Sequence, residues 1–245
     1  MPPEFEIRRE VELPATPEQV WEAVTTDAGT RSWLFPSGGD PEPREGGRTP
    51  DGSVVTAWDK PRHFGVRFEA EGGFFNALEF ILEARSGGTT VLRYVHSGIF
   101  TEDWDNQYDA ASQHTDFYLH TLAEYLAHFA PRTATYVGDV PGGIQAPASS
   151  AEKGSFGRLR EALGVDAARE GDHITVEAAA AGTIDGVVDY LRPNFVGIRT
   201  EDGLYRFFGR DAFGMPVGMT VHAFNGVDAD QAKQAWGEWL TRVYA

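Results

Sequence analysis

The chain has 245 residues, 41% hydrophobic and 24% charged, with 16 Phe, 8 Tyr and 6 Trp. That is enough apolar and aromatic surface to bury a core, and it excludes a wholly disordered chain. A formal net charge of −16 repels phosphate backbones and anionic lipid, so no nucleic-acid partner is expected. The absence of cysteine excludes disulfides and thiolate metal sites.

At roughly 150 residues per domain the length suits one large domain or two small ones. No segment approaches the roughly 18 apolar residues of a membrane span, and the start carries no apolar run of signal-peptide length. A cytoplasmic location without membrane insertion is the expectation.

Residues 4–13 alternate between Phe5, Ile7, Arg9, Val11, Leu13 and a charged set, the period of a half-buried strand. Thr16-Pro17-Glu18-Gln19 reads as a helix start, with a capping threonine, proline at the first helical position and glutamine to close a capping box. Residues 30–35 suggest a second short helix or turn. After a Gly- and Pro-rich stretch at 37–53, strand-like runs follow at 53–58, 64–70, 75–83 and 89–96, separated by Lys60-Pro61, Gly72-Gly73 and Gly87-Gly88. This is an antiparallel meander. A long helix is predicted over about 108–129, with His114, Tyr118, Leu122, Tyr125 and Phe129 on one face and Pro131 ending it. Such a helix is the one element long enough to cover the sheet. The expected class is α+β, a curved antiparallel sheet gripping a long C-terminal helix and leaving an apolar cleft between them.

The second half repeats parts of the first. Residues 54–67 resemble 187–199, sharing two valines, a proline, a phenylalanine and a Gly-aliphatic-Arg. Val95-His96-Ser97-Gly98-Ile99 resembles Ala223-Phe224-Asn225-Gly226-Val227, and Leu122-Ala123-Glu124-Tyr125-Leu126 parallels Trp236-Gly237-Glu238-Trp239-Leu240. The reading is two tandem copies, residues 1–130 and a diverged, shorter 131–245 that lacks most of the loop at 100–113. Residues 141–154 form a loop inside the second copy or the linker itself.

Several elements stand in a characteristic order. Ile7–Val11 precedes Ala15-Thr16-Pro17-Glu18-Gln19-Val20-Trp21, and then come Trp33-Leu34-Phe35, Glu45-Gly46-Gly47, Gly88-Thr89-Thr90-Val91-Leu92 and His96-Ser97-Gly98. Over about residues 4–129 this resembles the START-like (SRPBCC) superfamily. Within it, it is similar to the branch of the C-terminal domain of the activator of the heat-shock-protein-90 ATPase. The resemblance implies a helix-grip fold with a deep hydrophobic cavity, used for lipids, hormones or polyketides, and in some members for cyclase or aromatase chemistry. It fixes architecture and leaves chemistry open.

Strand parity nominates the lining of the cavity: Phe64, Val66 and Phe68; Leu78 and Phe80; Leu92, Tyr94 and His96; and, from the helix, His114, Tyr118 and Leu122. The same pattern suits a filled core. His96 and His114 are the polar candidates, each able to orient a ligand oxygen or act as a base. No catalytic set, metal or cofactor is assigned. The acidic stretch 102–109 fails as a calcium loop, since Asp103 as first ligand would put Tyr108 and His114 at the sixth and twelfth positions; it reads as a solvated loop before the helix. His114, His120 and His128 are not one turn apart.

The expected function is binding of a small hydrophobic or aromatic molecule in the first domain. The second domain then packs on the first or pairs two chains in a homodimer. The alternatives are a cyclase/aromatase-like enzyme using His96, His114 or Tyr94, and a chaperone-associated adaptor acting through its outer surface.

Overall fold

A computed structural model describes residues 4–100, 103–141 and 154–245. The segment expected as a loop or linker at 141–154 therefore lies almost wholly outside the described residues. The chain divides into two compact units, Met1–Thr133 and Ala134–Ala245.

In the first unit, β1 (Glu4–Leu13) is followed by α1 (Pro17–Thr25) and the one-turn α2 (Asp27–Thr30). Both bonds of the predicted capping box are present: Gln19 N–H donates to Thr16 Oγ1, and Thr16 N–H donates to Gln19 Oε1. The short helix lies upstream of the predicted 30–35, because Thr26 caps it through Gly29 N–H. The meander is β2 (Val54–Asp59), β3 (His63–Glu69), β4 (Phe75–Ala84) and β5 (Thr90–Ile99). The sheet order is β1-β5-β4-β3-β2, with every described pair antiparallel. One face of β1 buries Phe5, Ile7 and Leu13 and the other exposes glutamates and Arg8, as the alternation requires.

The long helix α3 spans Trp104–His128 and starts a full turn earlier than predicted. Trp104 and Tyr108 stack at 5.0 Å inside its first turns. Trp104–Asp109 is thus helix where the sequence suggested a loop; local acidity misled, because aromatic packing outweighs the loss of a solvated turn.

The second unit contains β6 (Thr135–Pro141), α4 (Ser155–Ala162), β7 (His173–Glu177), β8 (Thr183–Arg192), β9 (Phe195–Arg199), β10 (Gly203–Phe208), β11 (Gly218–Ala223) and α5 (Ala229–Tyr244). Its sheet runs β6-β11-β10-β9-β8-β7. Both sheets place their first strand beside their last and then count down, which is the tandem arrangement expected.

The repeat extends to irregularities. The β2–β3 ladder slips between Val55 and Ala57, and the β8–β9 ladder slips between Val188 and Tyr190. Each bulge faces a glycine, Gly65 or Gly197. A turn glycine with positive φ precedes each hairpin: Gly46 N–H donates to Val55 O and Val55 N–H to Gly47 O, while Gly171 N–H donates to Val188 O and Val188 N–H to Asp172 O. The sequence signal, Arg44-Glu45-Gly46 and Arg169-Glu170-Gly171, is visible once the bulges are aligned.

Candidate functional site

The registers lay side chains of the first sheet into rows on the face that buries Phe5 and Ile7. Phe64, Phe80, Tyr94 and Arg9 form one row; Val66, Leu78, His96 and Ile7 the next; Phe68, Asn76, Gly98 and Phe5 a third. Leu82, Leu92 and Val11 make a row at the opposite end. Exposure rises along these rows: Leu92 is 0% exposed, Phe64 and Phe80 5% each, Val66, Leu78, Tyr94 and His96 are half-buried, and Phe68 is 40% exposed. Ile7 at 0% and Phe5 at 5% stay buried in the second and third rows, so the sheet face opens at that end on its β3–β4 side.

Tyr94 lies beside Thr115 of α3, whose side chain partly offsets the effect of burial on the phenol. At about 100° per residue, Trp104, Tyr108, Ala111, Thr115, Tyr118 and Leu122 lie along the side of α3 that faces Tyr94. Phe117, Thr121 and Tyr125 of α3 are buried, and Thr115, Leu119, Leu122 and Leu126 make one buried stripe of it as well. His114 and Tyr118 flank it, half-buried, with their rings 5.9 Å apart, and His114 Nδ1 bonds Ala110 O at 2.7 Å. Arg9 reaches the helix from β1: its guanidinium donates to both Asp116 oxygens (2.5 and 3.2 Å) and to Ser112 Oγ (2.8 Å).

His96 sits half-buried in the second row. Its Nε2 lies 2.6 Å from Asn76 Oδ1, and Phe5 meets its ring edge-on at 4.9 Å. Burial lowers its pKa to about 4, so the imidazole is neutral at pH 7. Burial also raises the Tyr94 phenol above its ordinary value, against an opposing contribution from Thr115. The His-Ser-Gly motif has a packing cause. The Phe5 ring lies over Gly98, where a Cβ would stand 2.8 Å from Phe5 Cε1 and 2.7 Å from Phe75 O. Glycine there lets Phe5 reach His96.

All eleven nominated residues lie on the sheet face or on α3. Phe64, Phe80, Leu92 and Leu122 are deep core; Val66, Leu78, Tyr94, His96, His114 and Tyr118 are half-buried, and Phe68 lies at the exposed end. Sequence reasoning missed Arg9, Asn76, Thr115, Trp104 and Tyr108. Arg9 and Asn76 were legible by parity, since they occupy apolar-face positions of β1 and β4; Trp104 and Tyr108 were hidden by the acidic residues around them. Among the described residues no group of three or more His, Asp or Glu could hold a metal ion, and no helix is long and apolar enough to cross a membrane.

The same rows in the second unit carry different chemistry. Aligned on the bulges, Tyr94 and His96 correspond to Met219 and Val221, Arg9 and Ile7 to Val140 and Val137, and Phe80 and Leu78 to Phe207 and Tyr205. The counterpart of His96 is therefore Val221, not Phe224; the sequence match was displaced by three residues because β11 ends at Ala223. Val140, Met219 and Val221 are all buried beside Trp236, Trp239 and Leu240 of α5. The helices also differ in length, 25 residues in α3 and 16 in α5. The shrinking repeat is thus a shorter helix, not the missing loop expected.

A curved antiparallel sheet gripping a terminal helix defines a protein of the START-like, helix-grip class. Residues 14–127 match the family described as Activator of Hsp90 ATPase homolog 1-like protein, so the first unit is similar to that family over nearly its whole length. Among solved structures, the chain is similar to protein MLL2253 from Mesorhizobium loti, with 19% identity over 51% of this chain and 98% of that one, at a TM-score of 0.41. The Aha1 dimer from Colwellia psychrerythraea is 20% identical over 50% of this chain and 96% of that one, at 0.38. DynU16, from the dynemicin biosynthetic locus, is 15% identical over 98% of this chain and 96% of that one, at 0.42. No curated protein compared with the chain matches it.

Proposed function

We propose that the first unit binds a small hydrophobic or aromatic molecule between the inner face of its sheet and the N-terminal half of α3. The second unit is then a diverged, shorter copy whose equivalent space is filled. The observation that carries this reading is the burial gradient from Leu92 to Phe68. A simple core would be sealed throughout, whereas here half-buried apolar and aromatic side chains face one another toward an open end. The chain works in the cytoplasm on this reading.

Binding is favoured over catalysis by the state of the polar groups. A base whose pKa sits near 4 and a phenol raised above its ordinary value are both poorly matched to proton transfer near neutral pH. They are well suited to neutral hydrogen bonding in an apolar site.

The test is Val66→Trp, which fills the space opposite Leu78, assayed with the neutral fluorescent dye Nile red. The wild type binds one dye per chain, and the folded variant binds at least about tenfold more weakly, equal to roughly 1.4 kcal/mol. Unchanged affinity in a folded variant refutes the hollow.

A further inference from the structure

His96 has two ring nitrogens with different fates. Nε2 is engaged by Asn76 Oδ1 at 2.6 Å. A carboxamide oxygen can only accept, so Nε2 carries the ring hydrogen and Nδ1 is left with a lone pair. Among the described residues Nδ1 has no hydrogen-bond partner, and it is not sealed off from solvent. Its surroundings are otherwise apolar: Phe5 edge-on, Leu78 and Ile7 across the ladders, Tyr94 with its ring 6.5 Å away.

We propose that Asn76 and His96 make this hollow selective for apolar molecules bearing a neutral hydroxyl donor, such as a phenol or an enol. Nδ1 of His96 accepts that hydrogen, and Asn76 is the positioning residue that decides which nitrogen is free to do so. The inference rests on the binding reading above and deepens it.

The chemistry discriminates in two directions. A ligand with a hydroxyl takes the place of water at Nδ1 and keeps its hydrogen bond in largely apolar surroundings. Its methyl ether leaves the lone pair unmet, a difference of about 1–1.5 kcal/mol. A carboxylate meets a lone pair rather than a donor and must shed its hydration in an apolar site, so it is rejected more strongly. The neutral state of His96 keeps this polarity fixed across the physiological pH range, because its pKa stands near 4.

Three probes of one ring body separate the possibilities: 2-naphthol, 2-methoxynaphthalene and 2-naphthoate, titrated by fluorescence against the full chain. The wild type is expected to bind 2-naphthol about tenfold more tightly than the ether, and naphthoate most weakly. His96→Phe abolishes the preference for naphthol over the ether while retaining affinity for the ether. Asn76→Ala reduces the preference severalfold, again without changing affinity for the ether. In parallel, long-range proton–nitrogen spectra of the imidazole show hydrogen on Nε2 in the wild type and a mixture of tautomers in Asn76→Ala.

Equal binding of naphthol and ether by the wild type, or hydrogen found on Nδ1, overturns the selectivity and leaves the hollow standing. Failure of all three probes to bind overturns the hollow and the selectivity with it. Equal losses of every probe in Asn76→Ala assign that residue a structural role only.

Discussion

The paired glycines of the two bulges offer a controlled perturbation, because the same substitution meets different neighbours. Gly65 and Gly197 occupy equivalent places opposite the slipped ladder. A Cβ at Gly65 would lie 2.6 Å from Thr56 Oγ1 and 3.4 Å from Ala57. Thr56 is exposed, so its hydroxyl can rotate away. The strain is then offset by the ordinary advantage of alanine over glycine in a strand, about 0.5–1 kcal/mol, and Gly65→Ala changes stability by less than about 1 kcal/mol. A Cβ at Gly197 collides with Asp189 Oδ1 and stands 2.5 Å from Arg206 Nη1. These atoms belong to a bidentate ion pair at 2.8 and 2.9 Å whose side chains are 1% and 4% exposed. Neither can withdraw without leaving a buried charge poorly paired, which costs about 3–5 kcal/mol. After the alanine gain, Gly197→Ala should destabilise by about 3 kcal/mol, a fall in Tm of about 10–15 °C for a unit of this size. Urea unfolding followed by tryptophan fluorescence and circular dichroism measures both variants. Equal costs at the two sites, or a Gly197→Ala cost below 1 kcal/mol, would refute the reasoning.

His96 gives a pH signature. Its folded pKa, about 4, is depressed below the ordinary histidine value of 6.5, so its contribution is intact above pH 6.5 and is lost as pH falls toward 4, to about 3 kcal/mol at most. The variant His96→Phe should lose less stability than the wild type between pH 6.5 and 4, measured as urea midpoints; identical slopes would show that this imidazole does not drive the loss. In the second unit, Trp236→Ala removes a side chain 4% exposed from the core and should cost about 3–5 kcal/mol. A cost under 1 kcal/mol in thermal unfolding would mean the filled interior assigned to that unit is not packed as described.

Much of the architecture was legible because it rests on local rules. The β1 alternation, the Thr16 capping box, the meander with its Gly-Gly turns and the grip of α3 each follow from period, cap or turn chemistry. The failures have physical causes. The start of α3 was hidden because Asp103, Asp105 and Asp109 suggest a solvated loop, whereas the Trp104–Tyr108 stack makes it helix. The repeat was misaligned at His96 because the comparison followed residue identity. The true correspondence is carried by two β-bulges, whose extra residue leaves no fixed sequence mark. Arg9 and Asn76 were passed over as the polar exceptions on apolar faces. On a buried face the polar exception is the informative residue, because it must be paired.

On the binding reading proposed above, the two units set a packed interior against a hollow on one scaffold. Where the second unit places Val140, Met219 and Val221 under Trp236 and Trp239, all buried, the first places Arg9, held by Asp116, His96, held by Asn76, and Tyr94 in the same row as Arg9. Polar side chains cannot fill apolar space by collapsing into it, since each must keep its partner or lose about 1–3 kcal/mol. Of these, Arg9 ties β1 to α3 through Asp116, while the His96–Asn76 pair lies within the sheet, across β5 and β4. The first turns of α3, which carry Trp104 and Tyr108, have no counterpart in α5, which is nine residues shorter. On the same reading, replacing Arg9, Tyr94 and His96 by apolar residues and shortening α3 is expected to close the hollow. On that argument the hollow is maintained at a cost in packing, and a site kept at such a cost is where binding is to be sought.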